Sequence, residues 1–203
     1  MLKILKWTGI VVVGAYVALV IYRMFVLNAE DKTAEQVKRI HATRLTIQDV
    51  MGEHLPPEPA APDATVQGVD ANANGVRDDV ELAIFAEYPD SAETRAVLLQ
   101  YALALQMEVT QPIVNEDVVN ATLEEDSRAG NCIADTLVPR KSPESSRTYA
   151  DIEKIDSYTN FVDEKQFNTL ERKAARDKFF EQMGSYSNSP KLSCDIDLST
   201  LSN

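Results

Sequence analysis

The apolar positions of this chain fall into three regimes, and each predicts a different kind of element. From Trp7 to Tyr22 there is no charged residue, and if Arg23 snorkels toward the headgroups the apolar run continues through Leu27. That is about the length a bilayer requires of a helix. Residues 30 to 52 follow with no Pro, one late Gly, and apolar residues at Val37, Ile40, Ile47, Val50 and Met51, a spacing near three and four that predicts a helical stalk. Arg44 interrupts the stripe and so argues against a sustained coiled coil. Pro56, Pro57, Pro59 and Pro62 then predict an extended spacer. The expected division is a transmembrane anchor over 1–28, a stalk over 29–55, a Pro-rich spacer over 56–65 and a compact all-helical domain over 66–203.

Within that domain the pattern is helical almost throughout. Asp78 to Tyr88 predicts a helix stopped near Pro89, and Asp90 with Glu93 predicts a capping box that opens a longer one to about Thr110. Ala96 to Met107 is apolar nearly all round, which places that helix in the middle of the core. Residues 113–128 predict another helix before Gly130, and a short one carries Cys132, Ile133 and Leu137 to Pro139. Ser142-Pro143-Glu144 reads as the start of a helix burying Tyr149, Ile152 and Ile155. Asp163 with Gln166 reads as a capping box for a last helix ending near Gly184. No run alternates like a half-buried strand, so the fold class expected is all-α.

Charge then supplies an address. Lys3 and Lys6 precede the apolar run, while Glu30 and Asp31 follow it, so the positive-inside bias predicts a cytoplasmic amino terminus and an exported domain, as for a protein of an inner (cytoplasmic) membrane facing a periplasm. A cleaved signal peptide is the competing reading, but Leu27-Asn28-Ala29 offers a bulky Leu where a small residue is wanted. Gly14 and Ala18 would let two such helices approach closely, making a homodimer through the anchor conceivable. All 32 acidic residues lie beyond residue 27, against which only Lys3, Lys6 and Arg23 of the 20 basic ones lie before it. A field of that sign opposes phosphate and argues against nucleic acid as a partner. In an exported domain Cys132 and Cys194 are expected to form a disulfide rather than remain buried thiols.

The sharpest motif is Asp70-Ala-Asn72-Ala-Asn74-Gly75-Val76-Arg77-Asp78-Asp79-Val80-Glu81, which satisfies D-x-[DN]-x-[DN]-G-x5-E at every constrained position. Calcium takes six to eight hard oxygens, and this spacing offers them from Asp70, Asn72, Asn74, the Val76 carbonyl, Asp78 and, bidentate, Glu81. Gly75 allows the sharp turn. The loop resembles the isolated calcium loops of dockerin modules and thrombospondin type 3 repeats, and those of exported bacterial proteins with a D-x-N-x-N-G-V-R-D-D-x-E signature. That resemblance covers the loop and its exit helix, and it implies structural Ca2+ binding without an activity. Arg77 stands where paired EF-hands carry an aliphatic residue, and no second loop follows, so an opening sensor is not expected.

Little else suggests catalysis. The two histidines, His41 and His54, fall in the stalk and at its end, away from the cysteines. Glu87 with Asp90, Glu124 with Glu125, and Asp195 with Asp197 are carboxylate pairs of a kind expected by chance in so acidic a chain. The function expected is that of a membrane-anchored, exported, calcium-binding module that binds or scaffolds an unknown protein partner at the cell envelope, without enzymatic activity. A carboxylate-based envelope hydrolase and an accessory subunit of a membrane assembly are the alternatives.

Overall fold

A computed structural model describes residues 2–185 and 193–201, and among them the chain is helical with no strand. Helix α1 (Leu2–Ala42) is continuous from the apolar run into the predicted stalk. Among the described residues it is the one helix long and apolar enough to cross a membrane, and no part of its apolar window is covered by the rest of the chain. A helix apolar on every side and left uncovered has hydrocarbon as its matching surroundings.

The chain breaks at Thr43, and Thr46 caps α2 (Ile47–Met51) through a capping box with Asp49. Helices α3 (Asp78–Glu87), α4 (Ala92–Thr110), α5 (Glu116–Leu137), α6 (Tyr149–Gln166) and α7 (Leu170–Phe180) follow, with a single 3-10 turn at Leu198–Thr200. As its all-round apolar sequence requires, α4 is the axis: every residue from Ala92 to Glu108 except Glu93 is buried, and α2, α3, α5, α6 and α7 all pack against it. Helix α1 packs along α5.

The predicted stalk and the domain share one core. Ile40, Leu45 and Val50 are buried in the same cluster as Val97, Leu98 and Leu105 of α4. Nor does the Pro-rich segment stand off as a spacer. The buried guanidinium of Arg172 on α7 donates to the carbonyls of Pro62, Thr65 and Val66 and pairs with Asp63, drawing the segment onto the domain. Arg95 does similar work nearby, donating to the carbonyls of Val50, Tyr88 and Pro89. The Pro-rich segment curls in turns, with Ala64 N donating to Ala61 O and Gly68 N to Thr65 O, and its carbonyls outside helix or sheet are open to such donors.

Four expected boundaries move. Ser91, which accepts from Thr94 N, is the N-cap of α4 in place of Asp90. Helix α5 runs straight through Gly130, where an added Cβ would meet nothing, because packing of Cys132 and Ile133 outweighs the roughly 1 kcal/mol cost of glycine in a helix. Helix α6 starts not at Ser142 but at Tyr149, behind a Thr148–Asp151 capping box; Tyr149 (85 % exposed) and Ile152 (46 %) stay in solvent, while Val162 and Gln166 are buried. Asp163 and Gln166 close α6, and Thr169 opens α7. The part of the predicted tail from 186 to 192 lies outside the described residues.

Candidate functional site

The Asp70–Glu81 loop is closed by its own backbone. Asp78 N donates to the Val69 carbonyl at 2.9 Å, and Ala71 N donates to Asp78 Oδ1 at 2.9 Å. Inside the loop the Asp70 carboxylate accepts from Asn74 N at 3.2 Å and from Gly75 N at 3.0 Å, while Asn74 Oδ1 accepts from Val76 N at 2.8 Å. The chain thus curls around Asp70, turning through Gly75 at φ 87°. A Cβ there would lie 2.6 Å from Leu103 Cδ1, so both the backbone angle and the close approach to α4 require glycine.

Glu81, on the first turn of α3, is the focus. It is 0 % exposed, and its Oε2 accepts from the amide groups of Asn72 and Asn74, each at 3.1 Å. Its Oε1 has no hydrogen-bond partner. Burial pushes its pKa up to about 7 against those two amides, and the carboxylates of Asp49 and Asp78 push the same way. Burial also raises the Asp70 carboxyl. A buried carboxylate with one orphan oxygen is costly, and a proton or a cation relieves it. Among the described residues no three His, Cys, Asp or Glu side chains gather to hold a metal ion. As it stands the structure therefore does not gather Asp70, Asp78 and Glu81 around one point, and a cation would have to draw them together with the oxygens of Asn72, Asn74 and the Val76 carbonyl. Such an all-oxygen, mixed-charge set suits calcium and disfavours softer metals.

Arg77 explains the departure at loop position 8. Its fully buried guanidinium pairs with Asp79 and donates to the Gln166 carbonyl at 2.8 Å and the Lys165 carbonyl at 3.3 Å. The loop is thereby tied to the C-terminus of α6, where a cation meets otherwise unpaired carbonyls. Asp79, one residue into the first turn of α3, is the counter-ion of Arg77. No periodicity rule marks a buried arginine in advance.

Cys132 and Cys194 form a disulfide, with Cα atoms 5.0 Å apart. Beside it Asp195 is paired with Arg128 and Arg44, and Glu125 with Arg44, Arg128 and His41, whose Nδ1 lies 2.6 Å from Glu125 Oε1. Despite its burial, Glu125 is held below the ordinary carboxylate range by these three partners. This network welds the end of α1 to α5 and to the tail. It also accounts for two of the carboxylate pairs: Glu125 and Asp195 are neutralised, and Asp197 caps the 3-10 turn. Glu87 and Asp90 are exposed at the α3–α4 turn.

A second acidic cluster was not legible in the sequence because its members come from four helices. Glu108 on α4 accepts from Arg176 Nε of α7 at 2.8 Å, and Arg176 Nη1 lies 3.5 Å from Asp163 of α6. Asp126 of α5 completes the group, and both Glu108 Oε1 and Asp126 Oδ1 lack a hydrogen-bond partner. Burial pushes Glu108 up to about 8 and Asp126 to about 6, and raises Asp163, because one guanidinium serves three carboxyls. Asp163 and Arg176 also line a surface cavity of about 650 Å3 together with Phe167 and Asp177.

Comparison with protein-family profiles, with curated proteins and with solved structures returns no match to this chain.

Proposed function

We propose that the chain is a membrane-anchored, exported helical domain that binds one calcium ion in the Asp70–Glu81 loop, and that it serves as a protein-interaction module of the cell envelope. The observation that carries the metal is Glu81, a fully buried carboxylate with one unpartnered oxygen in a loop whose motif supplies further hard oxygens. Asp70, Asn72, Asn74, the Val76 carbonyl, Asp78 and Glu81 would hold the ion. Its chemistry is to neutralise the buried carboxyl and fix the loop between α3, α4 and α6. With Asn at two positions the affinity falls in the range of extracellular modules, on the order of 0.1–1 mM. At about 1 mM calcium and a Kd near 0.1 mM, binding adds about 1.4 kcal/mol to the folded state.

The test is thermal melting of the full chain in detergent micelles, in chelator against millimolar calcium, for the native protein and for Glu81→Gln. The native Tm rises with calcium and that of Glu81→Gln does not; an unchanged native Tm overturns the proposal. An envelope hydrolase is the second reading, favoured by the three raised carboxyls of the Glu108 cluster and the cavity beside Asp163. Loss of activity on candidate envelope substrates in Asp163→Asn, with melting unchanged, would favour it.

A further inference from the structure

The connection between α4 and α5 lies at the wrong height for an ordinary solvent loop. Helix α4 ends at Thr110 and α5 begins at Glu116, and the turn between them is pinned to α1: Gln36 Nε2 donates to the Pro112 carbonyl at 3.1 Å, and Asn115 Nδ2 donates to Thr33 Oγ1 at 3.1 Å. Helices α1 and α5 run side by side in the same direction from that point, since Asn115 faces Thr33 and Glu125 faces His41. The amino end of α5 and the carboxyl end of α4 therefore both point toward the apolar run of α1.

Val114 reaches furthest. It lines two shallow grooves beside α1, one shared with Val26 and Ala29 and the other with Phe25 and Ala29. The apolar run of α1 ends at Leu27, and at 1.5 Å per helical residue Ala29 is only about 3 Å beyond it. The polar layer of one leaflet is about 5–7 Å thick. Val114 thus falls within that layer, near the boundary with hydrocarbon. Yet it is 55 % exposed and its neighbour Ile113 is 37 % exposed, two β-branched residues at the tip of a turn. Val114 shares its groove with Phe25, which, like Tyr22 on the same helix, is left bare by the chain. Scattered exposed apolar residues need no explanation, but these two sit where lipid begins.

We propose that the Pro112–Val114 turn is a second membrane contact, inserting Ile113 and Val114 into the phospholipid interface beside α1, so that the domain rests on the bilayer. This rests on the reading of α1 as a membrane anchor. The occupant is lipid, because the patch is a tip level with the end of the span. Lys32, five residues and so about 7.5 Å beyond Leu27, lines the same groove and is placed to meet lipid phosphates, whereas Glu35 and Arg39 of that groove lie further from the bilayer.

The experiment places a nitroxide spin label at Val114→Cys in the full chain, reconstituted into phosphatidylethanolamine–phosphatidylglycerol vesicles, with Ile113→Cys as a second reporter. Val17→Cys marks the span, and Tyr149→Cys, at the distal end of the domain, marks water. The expected result is that positions 114 and 113 collide more with oxygen than with an aqueous nickel complex, as position 17 does, with position 149 the reverse. If 113 and 114 behave like 149 while 17 stays lipid-protected, the insertion proposal falls and the anchor stands. If 17 is also accessible to nickel, the anchor falls with it. Protection at 114 in native membranes but not in pure lipid vesicles would assign the turn to a protein partner and overturn the lipid contact.

Discussion

The Cys132–Cys194 bridge should be the largest single covalent contribution to stability, and its size follows from the chain. It closes a loop of 62 residues. In the chain-entropy account, a cross-link of that span removes about 14 cal/mol/K from the unfolded ensemble, on the order of 4 kcal/mol at 25 °C. The native side of the balance changes less, because the tail keeps other ties: Gln100 Nε2 donates to the Ser193 carbonyl at 2.8 Å, Asp195 N donates to Gln100 Oε1 at 2.9 Å, and Asp195 pairs with Arg128 and Arg44. The double variant Cys132→Ser, Cys194→Ser should therefore still fold but unfold earlier. With a urea dependence of about 2 kcal/mol/M, the midpoint should fall by about 2 M, and reductant should shift the native protein equally and leave the variant unmoved. The assay is equilibrium unfolding in micelles followed by far-UV circular dichroism. A shift below about 0.5 M would show that the tail barely constrains the unfolded chain, and would refute the entropic argument.

The Glu108 cluster should give stability an unusual pH profile. Glu108 on α4 faces Arg176 of α7, Asp126 of α5, Asp163 of α6 and Tyr101 of its own helix, and its folded pKa of about 8 lies above the ordinary carboxyl value. The folded state then binds more protons than the unfolded one between about pH 4.5 and 8, so stability is greatest toward the low end of that window and is lost as pH rises, by at most about 1.4 kcal/mol per unit for each proton. Melting in millimolar calcium from pH 5 to 8 should show this decline, and Glu108→Gln should flatten it; an unaltered slope would be the contrary result. Arg172→Ala should cost on the order of 2–4 kcal/mol, since the carbonyls of Pro62, Thr65 and Val66 lose their buried donor while the half-exposed Asp63 adds little, and limited proteolysis should then cut near Ala64; a resistant segment would contradict that role. Gly75→Ala should destabilise by about 1–3 kcal/mol and weaken calcium binding in calorimetry, because of the φ of 87° and the contact with Leu103; wild-type binding would show the turn to be more pliable than its geometry implies.

Periodicity was a good guide where one face or all faces of a helix meet the core, as in α3 and α4, and a poor one where side-chain chemistry chooses the boundary. Ser91, Thr148 and Thr169 each displace an earlier expected cap, because the hydroxyl of the residue immediately before a helix accepts from the amide three residues on and so decides its start. Asp163 looked like the beginning of an element and lies near an end, since the same acidic residue can serve Arg176 from the last turn of α6. The Asp70–Glu81 motif could be read because its residues are contiguous. What could not be read are the arginines: Arg77, Arg95 and Arg172 would be assigned to solvent by composition, yet each is buried and satisfies carbonyls far away in sequence. The Glu108 cluster escaped for the same reason, its partners meeting only after four helices have packed.

Helix α1 carries no break between its apolar run and Ala42, and its last turns are gripped by α5 and its N-cap through Thr33 and His41 and by the α4–α5 turn through Gln36. There is consequently no swivel where the span meets the domain, and the two turn as one body. Whatever fixes the azimuth of the apolar run of α1, such as a partner seated on the Gly14 and Ala18 side, dictates the compass bearing of the Asp70–Glu81 loop and of every other face of the domain. Torque applied to one end arrives undiminished at the other.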